Sequence, residues 1–240
     1  MNRPSDDVVP AALLANVYLF FWTPQQNMYY DILAYVANLS LLVQCLGSWW
    51  ACADDPRRHQ SLPTLITTIL LTPVGIYTML RMWIDPYQHL CIDQNPLYAR
   101  ESTKLFLAYI TLDMIYAIRY YRTTFPLLAG WIHHLLIGAY ALWCLREKQS
   151  VQFASTLVAE TSSVLLAASQ VFPTNATIRY QKKKLFPILF FVSRILVLGS
   201  IVIQAWRVRY IRSLLQPFLF ALFTSLNLYW WTKMTRNYHR

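Results

Sequence analysis

The sequence predicts an all-α fold, a polytopic membrane bundle of about seven transmembrane helices, and three observations support this prediction. Hydrophobic residues make up 56% of the 240-residue chain. Charged residues make up only 13%, whereas soluble domains carry about 25%. The basic residues behind the net charge of +10 cluster between long uncharged runs. Basic residues in such places face lipid headgroups, so we expect membrane lipids as partners and no nucleic acid.

Seven apolar runs are predicted to span a membrane, because a hydrocarbon core of ~30 Å needs about 20 helical residues. They are 32–52, 62–80, 105–121, 126–145, 151–172, 185–206 and 214–232. An earlier run, 10–22, is too short to span and predicts an interfacial or re-entrant helix. The second span carries Pro63, which we place in its first turn, and Pro73, where we expect a kink.

The order of these runs predicts four segments along the chain. They are an N-terminal segment with the short interfacial helix (1–28), an extra transmembrane helix (29–56), a main domain of six spans (57–236) and a short tail (237–240). We expect loops over 81–104 and 173–184, the second carrying Lys182, Lys183 and Lys184. That lysine run is the strongest orientation signal and favours a cytosolic C-terminus.

Ionisable residues inside the predicted spans form a candidate polar centre. They are Asp113, His133, His134, Glu160 and Arg194. A charged side chain there costs about 2.5–3.5 kcal/mol on insertion scales, so such residues usually face a protein interior or a wet cavity. Counting 1.5 Å per residue from the 173–184 side places all five at depths of ~10 to ~18 Å. Asn227 joins them from the last span, and Tyr116 lies on the Asp113 face with a hydroxyl that can donate a hydrogen bond.

Two interpretations of this polar centre stay open on physical grounds alone. In the first it is a structural network, in which Arg194 neutralises Glu160 or Asp113. In the second it is a reaction centre, in which a neutral imidazole beside a carboxylate serves as a general base or an acyl acceptor. We expect no metal site, because adjacent histidines point about 100° apart on a helix and no third ligand is suitably spaced.

The same residues lie in five ordered pieces of sequence. The pieces are LDMIYAIRYY with Asp113, WIHHLLIGAYALW with the histidine pair, AETSSVLLAASQVF with Glu160, LFFVSRILVL with Arg194, and LNLYWWTKM with Asn227. Together they resemble the TLC-domain family, which includes ceramide synthases and the translocating-chain-associated protein. The resemblance covers residues 57–236. In ceramide synthases the histidine pair belongs to a motif that continues to a downstream His-Asp-x-x-Asp, whereas Gln152–Thr161 carries Glu160 alone.

This resemblance implies a barrel of six spans around a lipid-accessible polar cavity, in the endoplasmic reticulum membrane, with a role in lipid homeostasis and sphingolipid or ceramide metabolism. One hypothesis is an acyl-CoA-dependent lipid acyltransferase that needs no bound cofactor. In it the catalytic residues are His133, His134 and Asp113, and the substrate-binding residues are Glu160, Arg194, Asn227 and Tyr116. The alternative is a non-enzymatic lipid sensor, lipid carrier or trafficking factor. The oligomeric state stays open, a homodimer included.

Overall fold

The structure is a computed structural model that describes residues 28–49, 56–88, 95–121, 127–172, 175–207 and 215–238. Regular structure in these residues is helical throughout, with no strand, which confirms the predicted all-α class. The interfacial helix predicted over 10–22 lies outside the described residues, as do residues 239–240 of the tail.

Nine α-helices follow one another in the described part of the chain. They are α1 (Met28–Trp49), α2 (Pro56–Ile84), α3 (Leu97–Tyr116), α4 (His133–Arg146), α5 (Ser150–Thr156), α6 (Glu160–Val171), α7 (Ala176–Phe190), α8 (Leu198–Arg207) and α9 (Leu215–Tyr238). A 3₁₀ turn, Leu157–Ala159, joins α5 to α6. Three π-helical segments extend other helices: Ala117–Tyr121 after α3, Leu127–Ile132 before α4, and Phe191–Val197 between α7 and α8.

Three stretches of the described residues are long and apolar enough to cross a membrane. They are Ser61–Ile84, Ser150–Val171 and Ala176–Gln204. Each contains one of the seven predicted spans in whole or in large part. The molecule is therefore a helical bundle with candidate membrane-spanning helices, while seven spans and a closed barrel stay predictions.

The second predicted span, 62–80, differs from its prediction at Pro63. Helix α2 begins at Pro56, so Pro63 lies in the helix interior and not in the first turn. The helix also continues unbroken past Pro73. Proline is tolerated inside membrane helices because side chains and neighbouring helices satisfy the backbone groups that it frees.

The loop predicted over 173–184 is largely wrong, because α7 begins at Ala176. The Asn175 side chain accepts a hydrogen bond from the Ile178 amide at 3.1 Å and so caps the first turn. Asparagine is among the preferred N-cap residues, since its oxygen satisfies an amide that the helix leaves unpaired. Lys182, Lys183 and Lys184 therefore lie on a helix that continues into the candidate span.

The core places α2 very close to the 3₁₀ turn. Gly75 lies so near this turn that an added Cβ would come within 2.5 Å of the Leu157 carbonyl carbon and closer still to the Val158 nitrogen. Buried aromatic rings fill the space beside it, with Phe106 and Phe153 centroids 5.0 Å apart and Tyr140 and Phe153 centroids 5.8 Å apart. This packing brings α3, α4 and α5 together around one centre.

A cluster of ion pairs and hydrogen bonds links α1 to α3. Lys104 Nζ lies 2.6 Å from Asp31 Oδ2 and 3.0 Å from Glu101 Oε1. The Tyr35 hydroxyl donates to Glu101 Oε2 at 2.8 Å. Only 6% of the Lys104 side chain and 8% of the Asp31 side chain are exposed, so the ion pair is shielded from water. The helix predicted to lie outside the six-span domain is thus held by directional contacts.

Candidate functional site

The histidine pair lies at the start of α4, where the π-helical segment Leu127–Ile132 ends. His134 Nε2 lies 3.0 Å from Asp113 Oδ2 on α3. His134 Nδ1 lies 2.8 Å from the Gly130 carbonyl oxygen. A carbonyl oxygen only accepts, so Nδ1 carries a proton and donates it. His134 is therefore either an imidazolium paired with the Asp113 carboxylate or a neutral ring that accepts from protonated Asp113.

His133 has different surroundings. Its Nδ1 is buried and has no hydrogen-bond partner among the described residues. The ring makes edge contacts with Trp230 and Phe223 of α9, at centroid separations of 5.2 and 6.4 Å. An unpaired buried polar atom costs about 1–3 kcal/mol, so it is unusual unless a ligand or water completes it. Of the two rings, His133 is the one with a nitrogen left to act on a ligand.

Arg194 and Glu160 form the second charged pair of the site. Arg194 lies on the π-helical segment Phe191–Val197, and its Nη2 is 3.7 Å from Glu160 Oε1. The guanidinium also donates to Ser162 Oγ at 3.2 Å and to Ser163 Oγ at 2.9 Å. Glu160 is 8% exposed, and its partner neutralises it. The pairing of Arg194 with Glu160 that the sequence offers as one alternative is therefore present.

A cavity of about 860 Å³ connects these groups with the lysines of α7. This volume lies within the ~300–1,000 Å³ range of small-molecule pockets. Its polar lining residues are Thr64, Tyr109, His133, His134, Glu160, Ser162, Ser163, Gln170, Lys182, Lys183, Arg194 and Lys233. Its apolar lining includes Phe106, Phe186, Phe190 and Trp230. The cavity thus has charged groups in two places, the lysines at one and the Glu160–Arg194 pair at the other. An apolar wall lies between them.

A second, smaller cavity of about 50 Å³ lies beside the first and shares His133, Glu160 and Arg194 with it. Asn227 lines it from α9, and its Oδ1 is buried with no hydrogen-bond partner among the described residues. A water molecule needs only ~10–15 Å³ of probe-occupied volume and two or more polar partners. The small cavity is therefore large enough and polar enough for water or for one small polar group.

The structure brings together most of the residues that the sequence singles out. His133, His134, Glu160 and Arg194 line the large cavity, and Asn227 lines the small one. Asp113 lines neither cavity and reaches the site through His134. Tyr116 packs against the hydrophobic core and is not among the described lining residues.

The predicted site residues do not include Ser162, the lysines that line the cavity, or Trp230. Ser162 follows Glu160 by two positions, a spacing that does not share a helix face in a regular α-helix. The lysines were assigned to the headgroup region. Their position on a helix face that leads to Arg194 depends on the Asn175 cap, which is a signal the sequence does contain.

Comparison with family models, curated proteins and solved structures finds no match for this chain. The chemistry of the cavity is therefore the basis for a functional interpretation.

Proposed function

We propose that this chain is a multi-pass membrane protein of lipid homeostasis, located in the endoplasmic reticulum, whose cavity binds a lipid and transfers an acyl group through His133. The observation that supports it is a cavity of about 860 Å³ that joins half-buried and exposed lysines to a half-buried histidine pair. Lipid acyl chains fit the apolar wall, and acyl chemistry fits the imidazole. The resemblance to the TLC-domain family points in the same direction.

The two histidines have separate tasks in this proposal. Both nitrogens of His134 face oxygen atoms, those of Gly130 and Asp113. Its ring is thereby fixed, and it serves to position its neighbour. His133 Nδ1 is unpaired among the described residues. His133 is therefore the nucleophile or general base, and Asp113 acts on it only through His134.

The proposed transfer has two steps. An unprotonated His133 nitrogen attacks the carbonyl carbon of an acyl thioester, the C–N bond forms and the C–S bond breaks. The leaving thiolate takes up the proton that the other ring nitrogen of His133 gives up. An amine or hydroxyl group of a second lipid then attacks the acyl-imidazole, loses its proton to the released imidazole nitrogen, and receives the acyl group. Covalent intermediates of this kind divide one difficult displacement into two easier ones. Acyl-CoA supplies the thioester, and no metal or bound cofactor takes part in either step.

The test is mass spectrometry of the gently purified protein after incubation with an acyl-CoA. We expect an acyl mass on the peptide that contains His133 and His134. The adduct disappears in His133→Ala and is reduced in His134→Ala. Tyr116→Phe is the matched control, because Tyr116 lies outside the cavity lining, and it keeps the adduct. An unchanged adduct in His133→Ala would contradict the assignment of His133 as the acyl acceptor.

A non-enzymatic lipid carrier or sensor is the second candidate function, and the pairing of charges in the site favours it. Arg194 faces Glu160, and His134 faces Asp113, so four of the five ionisable groups already have partners. A site with internally balanced charges can hold a lipid without reacting with it. The same measurement separates the two candidates, since a carrier yields co-purified intact lipid and no adduct with any acyl donor.

A further inference from the structure

Three lysines stand at one end of the large cavity. Lys182 and Lys183 come from α7, and Lys233 comes from α9. We call these three residues the lysine mouth. Lys183 and Lys233 are exposed and Lys182 is half-buried, so the cavity opens to the surface here. The only carboxylate among the described lining residues is Glu160, which faces Arg194 at 3.7 Å. Among the described lining residues, the charges at the lysine mouth are therefore all positive.

Arg194, by contrast, is poorly suited to bind an anion. It pairs with Glu160 and donates hydrogen bonds to Ser162 and Ser163. A phosphate at this level would meet the Glu160 carboxylate, and like charges at close range repel. An anionic group that enters the cavity is thus bound by the lysine mouth and not at the Arg194 level.

The wall between the two levels is apolar. Lys182, Phe186, Phe190 and Arg194 follow one another at four-residue spacing, which places them along one face of the helix. The Phe186 and Phe190 rings lie 5.9 Å apart, and Arg194 lies over the Phe190 ring at 5.3 Å. Twelve residues of helix separate Lys182 from Arg194, which corresponds to ~18 Å. The ligand that fits this lining has an anionic head followed by a long apolar segment.

From this arrangement we propose that the lysine mouth is a phosphate-binding site and that the ligand of the cavity is a lipid with a terminal phosphomonoester. Such a phosphate carries a charge of about −1.5 to −2 at neutral pH and three acceptor oxygens. Three lysines at the mouth offer N–H donors and positive charge to these oxygens, whereas a carboxylate carries only one charge and two oxygens. The inference specifies the ligand of the proposed lipid cavity and rests on that proposal.

The test measures binding of a short-chain phosphatidic acid to the protein in phosphatidylcholine nanodiscs by native mass spectrometry. The diacylglycerol with identical chains is the ligand that lacks only the phosphate. We expect phosphatidic acid to bind at least tenfold more tightly than this diacylglycerol. The triple variant Lys182→Gln, Lys183→Gln, Lys233→Gln removes that preference, and its melting temperature verifies that it folds. Equal binding of both lipids to the wild type would overturn the inference.

Lys184→Gln is the matched control variant. Lys184 is the next residue of the same run, but its Nζ lies 4.5 Å from the Tyr180 ring centroid, and it does not line the cavity. We expect it to bind phosphatidic acid as the wild type does. A single Lys184→Gln change that weakens binding as much as Lys182→Gln would show general surface attraction and would overturn the site.

Inorganic phosphate distinguishes a lipid from a soluble phosphate as the ligand. If it displaces phosphatidic acid at equal concentration, the apolar wall contributes nothing and the lipid assignment fails.

The acyl adduct on His133 is measured separately. Phosphate-selective lipid binding without an adduct leaves this inference standing and removes the acyl-transfer proposal, while an adduct without phosphate selectivity does the reverse.

Discussion

At the scale of single residues, the site contains both satisfied and unsatisfied polar groups. Asp113 lies 3.0 Å from its ionisable partner His134, and Arg194 lies 3.7 Å from Glu160. His133 Nδ1 and Asn227 Oδ1 are buried without a hydrogen-bond partner among the described residues, and both residues line the small cavity. Sequences depart from locally favourable choices mainly at functional sites. We interpret these two atoms as the ones that a bound ligand or water completes.

Replacing Asn227 with leucine tests this interpretation. Removal of a buried polar atom that has no partner is close to neutral or stabilising, by up to ~1 kcal/mol. We therefore expect the melting temperature of Asn227→Leu in detergent to be unchanged or higher, while the yield of acyl adduct falls severalfold. Ser225→Ala, an exposed change on the same helix, serves as the control and alters neither quantity. A marked loss of stability in Asn227→Leu would instead indicate a structural role.

At the scale of elements, hydropathy locates the spans but not the ends of the helices. The apolar run 185–206 is visible in the sequence, yet its helix begins nine residues earlier, at Ala176. A hydropathy profile does not detect polar residues at a helix end. The asparagine at position 175, whose side chain caps the helix, is a residue type that indicates a helix start. Pro63 lies in the interior of α2 for a similar reason, because this helix also begins before its apolar run, at Pro56. The early start of α7 is what places the lysine run beside the cavity.

The close approach of α2 to the 3₁₀ turn predicts the effect of a glycine substitution. A Cβ at position 75 would collide with the Leu157 and Val158 backbone, whereas no atom of another described helix lies within 4 Å of a Cβ at Gly199. We expect Gly75→Ala to destabilise by about 1–3 kcal/mol, as overpacking does. Gly199→Ala should stabilise by ~0.5–1 kcal/mol, because alanine is the better helix former. The two melting temperatures, measured side by side, should therefore move in opposite directions. Equal effects would mean that α2 does not contact the 3₁₀ turn.

At the scale of the whole molecule, the residue types of the site could be predicted, but their pairing only as alternatives, with Glu160 or Asp113 as the partner of Arg194. A count of helical rise places Asp113, His133, Glu160 and Arg194 at similar depth, and the structure brings them to one region. The rotation of each helix about its axis decides which partners meet, and depth carries no information on rotation. For that reason Tyr116 was predicted at the site but lies outside the lining, while Ser162 reaches Arg194.

The attachment of α1 to the rest of the bundle yields a prediction for pH. Burial raises the pKa of Glu101, but hydrogen bonds from Lys104 and Tyr35 and the Lys104 charge outweigh burial, so the pKa lies below its ordinary value of 4.5. A carboxyl with a lowered pKa in the folded state stabilises the protein above the unfolded pKa, and this contribution is lost as pH falls through the folded pKa. Glu101 should therefore stabilise α1 at neutral pH and cease to do so in acid.

The variant Glu101→Gln isolates this contribution. Its melting temperature should be lower than that of the wild type at neutral pH, because Lys104 loses one of its two carboxylate partners. The difference should shrink as pH falls below 4.5, since the wild-type carboxyl then takes up a proton and loses the same interaction. Tyr35→Phe removes one hydrogen bond to Glu101 and should give a smaller difference with the same direction of pH dependence. Hydrogen exchange of α1 amides locates the effect. A wild-type advantage that stays constant down to strongly acidic pH would mean that Glu101 acts through packing and not through its charge.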